Sequence, residues 1–319
     1  MKTLSRWIIL TLALCGTAVA QTAYPSKPVT MIVPFPPGGA LDIVARSLAQ
    51  EMTPLLGQTV IVDNRPGAGG GTGSGAAAKA AADGHTLLFG SIATHALAPA
   101  LYAKLPYDAL KDFVPITQVT SAPLVLVSSA VLPATTLPAL IAQARAQPGK
   151  LNYASTGNGT AVHLAGELFK SAAAIDVAHI PYKGGAEANT ALITGEASYM
   201  IVNVQLALPH IKSGKVRALA VTGPRRLAIL PEVPTMAESG LPSVDVSTWF
   251  GLFAPANTPA DVVARLQRDV QRALQPMRER LLAQGDEPVG STADAFSQFV
   301  RAEHAKWGKV VRDAGVKIE

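Results

Sequence analysis

A single cysteine in 319 residues, few aromatic side chains and only 15% charged residues are what this chain has little of. Cys15 falls within an N-terminal stretch that reads as a secretory leader. Cleavage after Ala20 leaves no thiol, and so no disulfide framework and no cysteine chemistry. No H-E-x-x-H run, Cys/His cluster or close acidic pair occurs, which leaves a metal centre without support, and no cofactor is expected. A G-x-S-x-G elbow is also missing, and the histidines pair with no nucleophile that spacing reveals, so nothing positive points to an enzyme. No Lys/Arg cluster interleaved with aromatics appears, which argues against a nucleic-acid partner.

What is present is apolar and export-directed. Hydrophobic residues make up 49% of the chain and the mean hydropathy is +0.27, enough for one large or two medium domains with real cores. Lys2 and Arg6 give the leader its positive end, Trp7 to Leu14 its apolar core, and Ala18-Val19-Ala20 its small-residue cleavage site. That apolar run is too short to span a membrane. Leu12-Ala-Leu-Cys15 is only a faint lipoprotein box, because Leu14 is large where a small residue is needed. Removing Lys2 and Arg6 from the 27 basic residues leaves 25 against 22 acidic ones, a mild positive balance that suits an anionic ligand.

One stretch organises the rest: Val29-Thr-Met-Ile-Val-Pro-Phe-Pro-Pro-Gly-Gly-Ala-Leu-Asp42-Ile-Val-Ala-Arg46. Thr30 to Val33 is the β-branched, apolar run of a buried parallel strand. Pro34, Pro36 and Pro37 stop it and stiffen the loop, and Gly38 and Gly39 allow close backbone approach. Ile43, Val44, Leu48 and Met52 then fall at helical spacing, so a helix begins near Gly39 with free N–H groups facing the loop. A helix N-terminus beyond a strand's carboxyl end is an anion site. Phe35, Gly39 and Ala40 are candidate ligand contacts. Asp42 is either a helix cap or an acceptor for a ligand donor.

Further along, Thr59 to Val62 is a second strand. The glycine-rich Asp63 to Gly75 that follows reads as a flexible loop into an alanine-rich helix, Ala76 to Ala82. Gly71-Thr-Gly-Ser-Gly-Ala76 fits a loose dinucleotide pattern, but no acidic residue follows the next strand to hold a ribose. His85 to Phe89 is the third strand, and Thr94 and His95 beyond it are candidates to hydrogen-bond a ligand. Val114 to Thr120 leads away, Ser121-Ala-Pro123 is expected to break it, and a first crossing between domains belongs there.

The second half repeats the logic. Leu124 to Val127 and Leu151 to Ser155 are strands, with a helix over Leu137 to Ala146 between them. Thr156-Gly-Asn-Gly-Thr160 then opens the helix that starts at Ala161. Ser155, Gly157, Asn158, Gly159 and Thr160 are candidate contacts, with Thr160 also an N-cap. Val177 to Pro181 ends at Tyr182, an aromatic for the pocket's edge or a surface turn residue. The strand Ala197 to Val202 ends at Asn203, whose amide both donates and accepts. Val216 to Val221 and Val246 to Phe253 are further strands, with the return crossing near Ser247 to Phe250. Helices over Pro259 to Ala283 and Ala293 to Ala314 are expected to pack back on the first domain. The expected units are the leader 1–20, a first domain of 21–122 plus 249–319, and a second of 123–248. A chain that leaves and returns, with loops from both halves, is built to close on a ligand.

Tyr24-Pro-Ser-Lys-Pro, Val33-Pro-Phe-Pro-Pro-Gly-Gly, Asn64-Arg-Pro-Gly-Ala-Gly and Leu105-Pro-Tyr-Asp together resemble the Bug family. Asn152-Tyr-Ala-Ser-Thr-Gly-Asn-Gly-Thr, His163-Leu-Ala-Gly-Glu-Leu-Phe, Pro181-Tyr-Lys-Gly, Ala207-Leu-Pro-His-Ile and Trp249-Phe-Gly-Leu-Phe-Ala-Pro-Ala extend the match over the mature chain. These are periplasmic solute-binding proteins of tripartite tricarboxylate transporters. The resemblance implies an α/β type II periplasmic-binding-protein fold, two open-sheet domains joined by two crossing strands with a ligand cleft between. It implies a small organic carboxylate as ligand, held by the loops matching Thr156 to Thr160 and Phe35 to Asp42, and membrane transporter subunits as partners. A monomer in the periplasm is expected; the rival role is a sensor that presents its ligand to a receptor kinase. Leu41 replaces a frequent Thr and Val202 a frequent Asp, so a less polar pocket is expected, suited to an aromatic or aliphatic acid rather than an amino acid.

Overall fold

The structure, a computed structural model, describes residues 24–316. The leader, Cys15 and the cleavage site expected after Ala20 lie outside them. The chain opens with β1 (Val29–Val33), α1 (Ala40–Leu56), β2 (Val60–Asn64), α2 (Gly71–Ala78) and β3 (Thr86–Ser91). β1 lies between β2 and β3 and is parallel to both. A π-helical stretch, Ala93–Leu97, and the short α3 (Ala98–Leu101) follow β3. β4 (Phe113–Ser129) then leaves this half of the molecule.

The second half is built from α4 (Leu137–Ala146), β5 (Asn152–Ser155), α5 (Ala161–Ala173), β6 (Ala178–Pro181), α6 (Gly185–Thr194), β7 (Tyr199–Asn203), α7 (Val204–Lys212) and β8 (Val216–Val221). Parallel pairing joins β6 to β5 and β5 to β7, and the far part of β4 runs antiparallel between β7 and β8. β9 (Ser247–Pro255) returns beside the near part of β4 and joins β3, antiparallel to both. α8 (Ala260–Ala283), the two-residue β10 (Glu287–Pro288) on β4, and α9 (Ala293–Asp313) complete the chain.

Helices cover both faces of the sheet, which is why its strands are apolar on both sides. On one face of the first lobe Leu48 and Met52 of α1 meet Val270 and Met277 of α8 over Met31 and Phe89. On the other face Trp249, Phe253, Phe296 and Trp307 form a core that continues through Leu126 to Tyr153 and Phe169 in the second lobe. Each fully buried Leu or Met contributes about 1.5–3 kcal/mol relative to exposure. The indole N–H groups of Trp249 and Trp307 are satisfied by one buried carboxylate, Glu303 Oε2, at 3.1 and 3.0 Å.

Two expectations are corrected. The glycine run is no flexible loop: α2 begins at Gly71, within it, and ends at Ala78, short of the expected Ala82. A Cβ on Gly73 would sit 2.7 Å from Arg65 O and 2.8 Å from Pro34 Cα, and one on Gly75 would sit 2.8 Å from Pro106 Cγ. The glycines let a helix lie directly on neighbouring backbone. Nor does Ser121-Ala-Pro123 break the strand, for β4 runs on to Ser129. Pro123 pairs with Ser247 at the last step of the β9 ladder, and from Leu124 onward the partners are β7 and β8. The missing N–H of proline falls where the ladder changes partner and costs no bond.

Candidate ligand-binding cleft

The carboxyl ends of β1 and β3 in the first lobe and of β7 in the second, with the start of α5 beyond β5, face one cleft of about 490 Å³. Its first wall is Phe35, Pro36 and Pro37 with the start of α1 at Gly39, Ala40 and Leu41, together with Ser91 at the end of β3 and Ile92 and Ala93 beyond it. Ala161 at the start of α5 and Asn203 at the start of α7 form the second wall, and Thr248 and Phe250 of β9 join the two. Among the described residues, no charged side chain lines this cleft. Another cleft, of about 520 Å³ between α5 and α9, is rimmed by Glu167, Lys170, Lys306, Lys309 and Asp313. Strand-end loops do not reach it, and its charges are already paired within their own helices, Lys306 with Glu303, so the inter-lobe cleft is the stronger candidate.

Polarity in the inter-lobe cleft comes from backbone and from the uncharged side chains of Ser91, Asn203 and Thr248. Gly39 precedes α1 in extended conformation and no side chain caps the helix. The first bond back along it is from Ile43 N–H to Gly39 O at 3.0 Å. The N–H groups of Ala40, Leu41 and Asp42 therefore await a partner outside the helix. At α5, Thr160 is the N-cap: its Oγ1 accepts from His163 N–H at 3.3 Å and donates to Gly157 O at 2.8 Å. The N–H groups of Ala161 and Val162 have no intrahelical acceptor. Gly157 and Gly159 hold this loop open with φ of 126° and 72°, in the left-handed region where other residues are strained.

Of the residues singled out in the sequence, Phe35, Gly39, Ala40 and Asn203 line the cleft. Asn203 Nδ2 donates to Thr248 Oγ1 at 3.3 Å, bridging second-lobe wall and crossing strand. Gly157, Asn158, Gly159 and Thr160 form the loop immediately before Ala161, beside the cleft.

Asp42, by contrast, is buried beneath it. Its Oδ2 accepts from Gly38 N–H at 2.9 Å and Arg46 Nε at 3.0 Å, and its Oδ1 accepts from Asn64 Nδ2 at 2.9 Å. Burial pushes the carboxyl up, but the hydrogen bonds from Arg46, Gly38 and Asn64 outweigh it and hold the group below its ordinary value. Asn64 Nδ2 also donates to Phe35 O at 3.1 Å, so Asp42 and Asn64 clasp the proline loop.

Thr94 and His95 are fully buried rather than at the rim. Thr94 Oγ1 accepts from Ser91 N–H at 3.0 Å and lies 2.9 Å from His95 Nδ1. The His95 ring stacks on Phe253 with centroids 3.8 Å apart, and burial, reinforced by His304, pulls its pKa down to about 3. Ser155 is buried too, with Oγ 2.7 Å from His179 Nε2. Tyr182 turns aside: its hydroxyl donates to Glu196 Oε1 at 3.0 Å and its ring packs on the second lobe's core.

Thr248 and Phe250 were not foreseen. Their signal was present, because residues two apart on a strand share a face, and buried Trp249 between them points the other way. Among the described residues no group of three or more His, Cys, Asp or Glu side chains is placed to hold a metal ion, and no helix is long and apolar enough to cross a membrane.

Comparison with known proteins gives one answer. Residues 44–316 match the TctC family, the tripartite tricarboxylate transporter family receptor. Protein BugT of Bordetella pertussis is 42% identical over 315 residues, 98% of this chain and 97% of that protein. An R. palustris protein solved with adipate is 34% identical, covers 92% of this chain and 100% of its own, and superposes with a TM-score of 0.77. MatC from Rhodopseudomonas palustris, with bound malate, is 36% identical, with coverages of 90% and 100% and a TM-score of 0.73. The chain belongs to the TctC, or Bug, family: periplasmic solute-binding proteins of two-domain α/β fold, receptors rather than enzymes.

Proposed function

We propose that this protein captures a small organic acid without an ammonium group, aliphatic or aromatic, and delivers it to the membrane subunits of a tripartite tricarboxylate-type transporter. The observation that carries this reading is a cleft with no charged side chain among the described residues, into which the uncapped start of α1 and the start of α5 both open. Carboxylates are suited to such N–H groups, which supply donors and partial positive charge without an arginine. An ammonium group would need an acidic acceptor that the lining does not contain. Leu41, on the wall, and Phe35 and Phe250 offer apolar surface to a carbon chain or ring. Relatives that hold adipate and malate support the class.

In this reading the ligand touches Phe35, Gly39, Ala40, Asn203 and the Gly157–Thr160 loop. Asp42, Thr94, His95 and Ser155 support those contacts from below, and Tyr182 braces the second lobe. Strand pairing supports domain boundaries at 21–122 plus 249–319 and 123–248, because β4 exchanges β9 for β7 and β8 after Pro123. The protein works as a periplasmic monomer after removal of its leader.

A thermal-shift series on the mature protein tests the ligand class, since binding to the folded form alone raises Tm. Adipate, malate or benzoate is expected to raise Tm more than glutamate or aspartate at equal concentration. A larger shift with either amino acid overturns the reading. Delivery is tested by uptake of the acid that binds, which is lost when the transporter's membrane subunits are deleted.

A further inference from the structure

We infer that His163 is a positioning and specificity residue of the carboxylate loop: a neutral stand-in for the acidic residue that usually closes a helix cap. The inference rests on the reading of the cleft as a carboxylate site. His163 occupies the third position of α5, counted from its N-cap Thr160. Its main-chain N–H donates to Thr160 Oγ1, and its side chain reaches back, so that Nδ1 accepts from the Gly159 N–H at 3.0 Å. This is the reciprocal arrangement of a capping box shifted by one residue, in which Glu or Gln normally supplies the returning acceptor. Glutamate would place a full negative charge beside the free N–H groups of Ala161 and Val162. Imidazole supplies the same acceptor without charge, and the helix end stays positive toward an incoming carboxylate.

The ring is held in that role from below. It stacks on His179 with centroids 3.9 Å apart and planes 9° from parallel, and His179 lies in turn 4.8 Å from the Tyr153 ring. His179 Nε2 meets Ser155 Oγ at 2.7 Å. Ser155 Oγ in turn accepts from Gly157 N–H and donates to Gly157 O, both at 3.2 Å. All three contacts of the hydroxyl are satisfied together when Nε2 of His179 carries the proton. Each histidine thus fixes one end of the loop, His163 at Gly159 and His179 through Ser155 at Gly157.

Acceptance at Nδ1 requires the tautomer of His163 with its proton on Nε2, and a second proton would remove the acceptor. The groups around it are Glu167 and Lys170 on its own helix, His179 on β6, Tyr153 on β5, and Lys306, Lys309 and Asp313 of α9 across the groove beyond Glu167 and Lys170. Burial lowers the pKa of both histidines, which keeps them neutral in the folded protein.

The test joins a readout that needs no ligand to one that does. Nitrogen NMR of the imidazoles is expected to show His163 protonated at Nε2, with the Gly159 amide protected from exchange until His163 titrates. His163→Gln keeps that protection and binds adipate within roughly threefold of the unaltered protein, as a neutral acceptor should. His163→Leu loses the protection and weakens adipate binding roughly fivefold to tenfold. His163→Glu keeps the protection and the fold but weakens adipate binding roughly tenfold to a hundredfold, from charge repulsion alone. The proposal is overturned if His163 carries its proton on Nδ1, if the Gly159 amide is indifferent to His163→Leu, or if His163→Glu binds adipate as tightly as His163→Gln. A protein that binds no carboxylate at all fails differently: Gly159 protection stands, while the carboxylate reading and the charge argument fall together.

Discussion

Asp42 joins three segments through one carboxylate, taking Gly38 N–H, Arg46 Nε and Asn64 Nδ2 at 2.9–3.0 Å. Asp42→Ala leaves the Gly38 and Asn64 donors without their acceptor beneath the proline loop. The expected cost is about 2–3 kcal/mol of unfolding free energy in urea titration. Because the folded pKa is held below the unfolded value, this contribution is complete above the unfolded pKa and fades as pH falls through the folded one. The variant should therefore lose stability less steeply than the unaltered protein below about pH 4. The same residue marks the limit of what sequence reveals about the site. That a glycine-bearing helix start follows β1 and β5 is legible from composition and spacing, and so are Phe35, Ala40 and Asn203. Whether Asp42 or His95 points into the cleft or beneath it depends on side-chain direction, which the Asn64 clasp and the π-helical turn after β3 decide and which no local pattern encodes.

Among the elements, α2 sets packing against propensity. Intrinsic preference favours alanine over glycine in a helix by about 1 kcal/mol, so Gly73→Ala ought to stabilise if α2 were free. Its new Cβ would instead lie 2.7 Å from Arg65 O and 2.8 Å from Pro34 Cα, both backbone atoms that cannot step aside cheaply. Gly73→Ala is expected to destabilise by about 1–3 kcal/mol, measured by urea titration; a gain in stability would show that the helix rides clear of β1's exit. Regular elements were legible where one strong signal governed them. Leu137–Ala146 and Val216–Val221 have the bounds that periodicity gives. The glycine run and Pro123 were misjudged because each residue answers to a tertiary neighbour, Gly73 to Pro34 and Pro123 to a change of strand partner.

For the whole molecule, what matters is how the lobes meet beyond the crossing strands β4 and β9. Asp286, between α8 and β10 in the first lobe, is buried against the second, where Gln205 Nε2 of α7 donates to its Oδ2 at 3.4 Å. Arg225 reaches Glu287 alongside at 3.0 Å, but that pair is exposed and contributes little. Burial pushes the Asp286 carboxyl up to about 6, only partly offset by the Gln205 hydrogen bond. The sign follows from linkage: between the unfolded value of 3.8 and about 6 the folded state binds more protons, so stability falls as pH rises through that window. Above it an ionised carboxylate sits in the contact between lobes, at a cost of up to about 3 kcal/mol. Asp286→Asn keeps the shape and an acceptor for Gln205 while removing the charge. It should raise Tm near about pH 8, and the gain should vanish by about pH 3, below both the unfolded value of 3.8 and the folded one, where the native side chain is itself neutral in both states. A gain that persists unchanged at the lower pH would mean that packing, not ionisation, limits how these lobes hold together.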